Sequence, residues 1–266
     1  MSHRLAGPAQ PAQPARPDGD PTVPQLPARP KAAADLRALA RIATAELDRA
    51  AAIRAQMRDH HPFWGHLLAG VEVRAAFDLA TLAATDGIRH IWINPAFTRH
   101  LHGEALGFVL AHELIHIAMD HRDRCRGRDP YVWNVACDLV ANRMVADLRR
   151  RDGSHERLYA IPQGEVPGLG WVNPLMSSHY HNTVPEFIYE HLCAGNGERG
   201  VDVTLWIDSD DGDGPRQAGG MRTPNGIDTH ATGPLSAGDQ AERDQLVRSA
   251  AEAWRQSGSR GDVPGQ

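Results

Sequence analysis

The chain has 266 residues, 41% of them hydrophobic, and its 33 acidic and 28 basic residues give a formal net charge of −5. This length suits one large or two small domains, and the lack of a basic excess argues against nucleic acid as a partner. No apolar run reaches the roughly 18 residues that span a bilayer, and the N-terminus has no signal-peptide core, so we expect no membrane partner. The odd cysteine count, without CxxC spacing, favours a reduced, cytoplasmic setting.

Residues 1–30 carry a proline near every third position and almost no large apolar side chain. Such a segment cannot build a core, so we predict a disordered tail with polyproline II character. From Lys31 the apolar residues recur at three- and four-residue steps, which predicts an amphipathic helix of about 25 residues ending near His60. His60, His61 and His66 lie near this helix end without acidic residues at a spacing that would complete a metal site, and we interpret them as structural.

Alternating apolar residues over 71–75 and 88–94, separated by the turn Thr85-Asp86-Gly87, predict a strand-turn-strand unit. A strand just before the next helix could bind an extended substrate by backbone pairing. The alternative is an ordinary sheet without a binding role.

The centre of the chain carries the motif His112-Glu113-Leu114-Ile115-His116, an HExxH sequence with strongly apolar flanks. Four residues turn a helix through about 400°, so both imidazoles project from one face, one turn apart. Zinc binds imidazole nitrogens in tetrahedral geometry and leaves one position for a water molecule that a nearby carboxylate can deprotonate. The motif therefore predicts a zinc site formed by His112 and His116, with Glu113 as general base. The alternative is a pair of hydrogen-bonded core histidines.

A second helix is predicted over 131–148, and Asn134, Asp138 and Asn142 recur on it at four-residue steps. A polar stripe on an apolar helix is explained if Asp138 coordinates the metal and the two asparagines hydrogen-bond beside it. The alternative is a stripe that faces solvent.

The sequence HELIH, followed about 20 residues later by WNVACDLVAN, resembles the gluzincin-type zinc peptidases. It is most similar to a bacterial family of metallopeptidase-like proteins that continue into a von Willebrand A-like domain, with agreement from about residue 34 to 264. The resemblance implies a zincin-like fold and places the third zinc ligand on Asp138, where the usual residue is a glutamate. It also implies an AAA+ ATPase as a possible partner.

The remainder of the chain carries weaker signals. Residues 149–178 are rich in Gly and Pro and predict a loop across the site, while Thr183 and Glu186 have capping-box spacing before another helix. Tyr180, just before that helix, is a candidate to stabilise an oxyanion, although packing beneath the helix is the commoner role of such an aromatic residue. The acidic run 208–214 does not have the ligand order of an EF-hand and predicts a loop, and a helix is predicted over 239–256.

Together these signals predict an α+β, zincin-like fold in which a small β-sheet packs on the HExxH helix and further helices. We expect a tail over 1–30, a metallopeptidase domain over 31–200, and an extension of that domain over 201–266. The expected activity is hydrolysis of peptide bonds in a peptide or protein substrate, with Zn²⁺ bound by His112, His116 and Asp138 and with Glu113 as the base. The alternative is a non-catalytic zinc-binding scaffold that acts with the ATPase.

Overall fold

The computed structural model describes residues 33–172, 180, 182–194, 228–230 and 233–257. The predicted tail over 1–30 and the acidic run over 208–214 lie outside these residues. The described part is a mixture of helices and short strands, which confirms the predicted α+β class. Within that part, no helix has both the length and the apolar character needed to cross a membrane.

Eight helices are described: α1 (Ala33–His60), α2 (Pro62–Gly70), α3 (Pro95–Thr98), α4 (Gly103–Ala118), α5 (His121–Arg124), α6 (Pro130–Ala146), α7 (Pro185–Ala194) and α8 (Ala237–Gln256). The described strands are β1 (Glu72–Ala75), β2 (Ala83–Thr85), β3 (His90–Ile93), β4 (Glu165–Val166), β5 (Gly170–Trp171) and β6 (Asp228–His230). The predictions for α1, α4, α6 and α8 are confirmed to within a few residues, whereas α2 was not predicted.

The main sheet has the strand order β1-β3-β2-β6, and β4 and β5 form a separate two-stranded hairpin. The predicted strand-turn-strand unit is wrong in its pairing, because β1 lies parallel to β3 and the strand joined to β3 by the turn is β2. The three residues of β2, Ala-Ala-Thr, are too few to show the alternating pattern from which sequence predicts a strand.

The turn between β2 and β3 is held by one carboxylate. Asp86 Oδ1 accepts hydrogen bonds from the backbone N–H groups of Ile88, Arg89 and His90 at 2.8–3.0 Å. Its other oxygen lies 2.6 Å from His90 Nδ1. Gly87 has φ of +72°, a left-handed conformation that glycine adopts without strain.

Helix α4 lies at the centre of the fold and packs against the sheet, α1, α2 and α6. Every residue from Ala105 to Ile117 is buried, so the helix is apolar on all sides apart from the HExxH polar groups. The helix is approached closely by the ring of Tyr159, because a Cβ atom added at Gly107 would lie 2.2 Å from that ring. A glycine is therefore required for this contact.

Both ends of α4 are tied to other elements. Before the helix, Thr98 donates a hydrogen bond to buried Glu46 at 2.9 Å, and Arg49 donates to the carbonyl of Leu101 at 2.5 Å. After the helix, Asp120 pairs with Arg243 of α8, whose side chain is buried. These contacts fix the axial position of the HExxH helix within the fold.

Helix α7 packs on α6 through an apolar cluster, the α6–α7 cluster, which includes Val135, Leu139, Ile188 and Leu192. The helix expected after Thr183 begins at Pro185, and the Thr183 hydroxyl donates to the carbonyl of Tyr180 at 2.8 Å. Glu186 pairs with Arg124 at 2.6 Å. The contact joins α7 to the short helix α5, which follows the HExxH helix.

Candidate metal centre

Helices α4 and α6 bring His112, His116 and Asp138 together in the interior. The three side chains are 0%, 2% and 1% exposed, and one ligand atom from each lies within 4.8 Å of the others. The two Nε2 atoms are 3.1 Å apart, and Asp138 Oδ1 lies 3.6 Å from His112 Nε2 and 3.4 Å from His116 Nε2. Three potential metal ligands thus converge on one point.

The local sequences explain why these two helices hold the site. Helix α4 begins at Gly103, where His102 accepts a hydrogen bond from the backbone N–H of Ala105. Helix α6 begins with a proline at its first turn, where Asp129 accepts from the N–H groups of Tyr131 and Val132. Because each helix has a defined start, the register that places the ligand atoms inward is also defined.

The two asparagines of the polar stripe contact the cluster. Asn142 Oδ1 lies 2.7 Å from His112 Nδ1, and Asn134 Nδ2 donates to Asp138 Oδ2 at 3.1 Å. With the amide oxygen as acceptor, His112 carries its hydrogen on Nδ1 and directs the Nε2 lone pair into the cluster. Asn142 is fully buried, so the stripe does not face solvent at this position.

A third histidine, which belongs to no motif in the sequence, also borders the site. His121 Nδ1 lies 3.1 Å from His116 Nδ1, and His121 is only 3% exposed. Its five-residue spacing from His116 does not match a helical repeat, because α4 ends at Ala118 and the chain turns through Asp120 in a left-handed conformation (φ 57°). Only the three-dimensional structure therefore brings the two rings together.

Glu113 follows His112 directly and is 0% exposed. It lies on α4 about 100° around the helix axis from His112 and three residues before His116. Glu113 therefore adds a buried carboxylate to α4, one residue from His112 and three residues from His116.

Other candidate residues lie elsewhere. His61 Nε2 lies 2.6 Å from the carbonyl of Arg149, and His66 Nδ1 lies 2.6 Å from the carbonyl of Pro62. Tyr180 is buried in the α6–α7 cluster, with its hydroxyl 3.5 Å from His191 Nδ1. Cys137 adjoins Asp138 in sequence, but burial raises the pKa of its thiol well above the ordinary value, which favours the uncharged form.

The donor set fits a metal ion of the zinc type. Ligand atoms at 2.0–2.1 Å around a tetrahedral zinc are about 3.3–3.4 Å from one another, and the three distances measured between the donor atoms are 3.1, 3.4 and 3.6 Å. Two imidazoles and one carboxylate leave a fourth tetrahedral position, as in catalytic zinc sites. The residues present therefore suit such an ion in number, type and spacing.

In this α+β fold, two histidines of one helix and an aspartate of another are buried around a common point. The protein is therefore equipped to hold a metal ion. The chain belongs to the family described as "Putative metallopeptidase domain", whose model matches residues 44–265. This match confirms the predicted family resemblance. No curated protein and no solved structure gives a significant match to the chain.

Proposed function

We propose that the chain is a zinc-dependent metallopeptidase that hydrolyses peptide bonds in a peptide or protein substrate. His112, His116 and Asp138 are the proposed ligands, and Glu113 is the proposed general base. The observation that carries the proposal is the convergence of three buried donor atoms within 4.8 Å, in a chain of a metallopeptidase family. Imidazole and carboxylate donors with one open tetrahedral position favour zinc as the ion.

His112, His116 and Asp138 would hold the zinc ion, which would supply the Lewis acidity that lowers the pKa of a water molecule and polarises the scissile carbonyl. Glu113 accepts the proton of the attacking water on its carboxylate and later delivers it to the nitrogen of the leaving amine. Burial of Glu113 keeps bulk water from competing for this transfer. Asn142 holds the His112 ring through Nδ1 and so fixes the direction of Nε2.

The arrangement of elements supports a zincin-like domain over residues 31–200. The small sheet packs on the helix with the HExxH motif, and α6 supplies the third ligand. Residues 201–266 are proposed to extend this domain, because α8 packs against α2 and ties Arg243 to Asp120 at the end of α4.

The setting of the reaction is proposed on chemical grounds. Cys125, Cys137 and Cys193 are all free thiols, which supports a reducing, cytoplasmic compartment. An AAA+ ATPase partner is proposed from the resemblance of the sequence alone. The competing function, a zinc-binding scaffold without catalysis, predicts the same metal content and is separated from the peptidase by the following experiment.

The deciding experiment compares Glu113→Gln with Glu104→Gln. Both changes remove a carboxylate from α4, but Glu104 is exposed and pairs with Arg150 at 2.6 Å, away from the cluster. We expect about one zinc per chain in all three proteins, and hydrolysis of an unfolded protein substrate that falls by about 10²- to 10⁴-fold only in Glu113→Gln. Zinc-loaded wild type that is no more active than Glu113→Gln would favour the scaffold. Wild type that binds no zinc would refute both functions.

A further inference from the structure

His121 lies beside Nδ1 of His116, as Asn142 lies beside Nδ1 of His112. Its Nδ1 atom lies 3.1 Å from His116 Nδ1, and the two rings meet edge to face with centroids 4.7 Å apart and an interplanar angle of 85°. Each of the two imidazoles proposed as ligands therefore directs Nε2 toward the cluster and Nδ1 toward a buried side chain of its own.

The hydrogen-bond chemistry of two imidazoles fixes the roles in this pair. If His116 presents the Nε2 lone pair to a metal ion, its hydrogen must reside on Nδ1. That hydrogen points at His121 Nδ1, which can accept it only in the tautomer that carries its own hydrogen on Nε2. His121 would thus select the tautomer of His116 that can coordinate.

The surroundings hold the His121 ring in place. Trp133 Nε1 donates to the backbone carbonyl of His121 at 2.7 Å, and the Trp133 ring meets His121 edge-on at 6.5 Å. Asp120, the preceding residue, is anchored by the pair with Arg243. The His121 ring therefore packs against Trp133 of α6, and the residue before it is tied to α8.

We propose that His121 is a positioning residue, which accepts a hydrogen bond from His116 Nδ1 and holds the His116 ring in the orientation and tautomer that bind the metal. The inference rests on the proposed function, because it assigns a partner to one of the proposed ligands. Hydrogen-bond partners of ligating histidines are worth about 10- to 100-fold in metal affinity. A loss of that size is expected when the acceptor is removed.

Two substitutions at the same position separate an acceptor from a packing residue. His121→Phe keeps an aromatic ring but has no acceptor, whereas His121→Asn places an amide oxygen where the ring Nδ1 lies, the group that Asn142 offers to His112. We expect zinc affinity, measured by competition with a chromogenic chelator, to fall about 10- to 100-fold in His121→Phe and to be largely restored in His121→Asn. His66→Phe is the matched control, since His66 Nδ1 lies 2.6 Å from the carbonyl of Pro62 in its own helix.

A second readout uses the unaltered protein and does not depend on how the variants fold. In the zinc-loaded wild type, nitrogen-15 NMR of the histidine rings should show the His116 hydrogen on Nδ1. A hydrogen on Nε2, or equal zinc affinity in His121→Phe and wild type, would overturn the role of His121 while leaving the proposed function intact. Wild type that binds no zinc would instead overturn the proposed function, and this inference with it.

Discussion

Asp138→Ala removes the only carboxylate of the three-residue cluster. The side chain is 1% exposed, and Oδ1 lies within 3.6 Å of both Nε2 atoms. If Asp138 is a ligand, the variant retains two imidazoles for an ion that needs three protein ligands in a catalytic site. We therefore expect a strong loss of zinc affinity with retention of the fold.

The size of the loss follows from two comparisons. Loss of a hydrogen-bond partner of a ligand costs about 10- to 100-fold in affinity, so loss of the ligand itself should exceed about 100-fold, or about 2.7 kcal/mol. At a free zinc concentration 100 times the wild-type Kd, zinc stabilises the wild type by about 2.7 kcal/mol, and a 100-fold weaker variant by about 0.4 kcal/mol. For a protein of this size these values correspond to a rise in Tm of about 5–11 °C and about 1–2 °C.

The assay is thermal unfolding with and without zinc, at the same zinc concentration for every variant. Unfolding in chelator measures the cost of the substitution to the metal-free fold, and the difference between the two curves isolates the metal. Asn134→Ala is the matched control, because Asn134 donates to Asp138 Oδ2 at 3.1 Å, is partly exposed and is not one of the three converging donors.

The result that would refute this reasoning is a zinc-dependent rise in Tm that is the same in Asp138→Ala as in wild type. A larger loss in Asn134→Ala than in Asp138→Ala would also refute it, because the ligand would then lie one turn earlier on α6. Either outcome would place the third ligand outside the cluster described above.

Two further predictions concern stability. Gly107→Ala should lower the free energy of unfolding in urea by about 1–3 kcal/mol, because the new methyl group would overlap the Tyr159 ring. Gly103→Ala is the control and should cost far less, since a Cβ atom at Gly103 meets nothing within 4 Å. Equal losses in the two variants would contradict this account. Partial burial raises the pKa of Asp86, but hydrogen bonds from the His90 backbone and ring and from other turn N–H groups outweigh it, so the net pKa lies below the ordinary aspartate value. Its ionised form therefore adds stability that is present at neutral pH and is lost as the pH falls below about 4. Asp86→Asn should reduce the loss of unfolding free energy that the wild type shows between neutral pH and about pH 3. Asp48→Asn, at an exposed position, should leave that loss unchanged. The same loss in Asp86→Asn as in wild type would show that the turn does not contribute to it.

Sequence predicts best those parts of the structure in which apolar or polar residues recur with the period of a helix. The spacing of His112 and His116 and the stripe containing Asp138 each place side chains on one face of a helix, and the apolar flanks predict that both helices are buried. Packing of α4 against α6 then brings the two faces together. The sequence predicts each face, and the polar stripe and the family resemblance both place Asp138 opposite the two histidines.

The features that escaped prediction depend on contacts without a periodic signal. Strand β2 is three residues long, and α2 contains glycine at position 65, where the helix backbone passes so close to α1 that an added Cβ would lie 2.2 Å from Arg58 Cα. His121 lies beyond the end of α4, where a left-handed residue redirects the chain. In each case the close approach of two segments, rather than local preference, decides the structure.

The pairing of β6 with β2 has a consequence for the order in which the fold assembles. Ala83 pairs with Asp228, so this contact joins residues more than half the chain apart, whereas β2 and β3 are joined by a short turn. Contacts between distant residues bear the largest loop-closure entropy and tend to form late. During synthesis from the N-terminus, β2 would therefore expose an unpaired edge beside the HExxH helix until residue 230 has emerged. In the folded protein the same three-residue pairing should open more readily than α4, and its amide hydrogens should exchange with solvent before those of the helix.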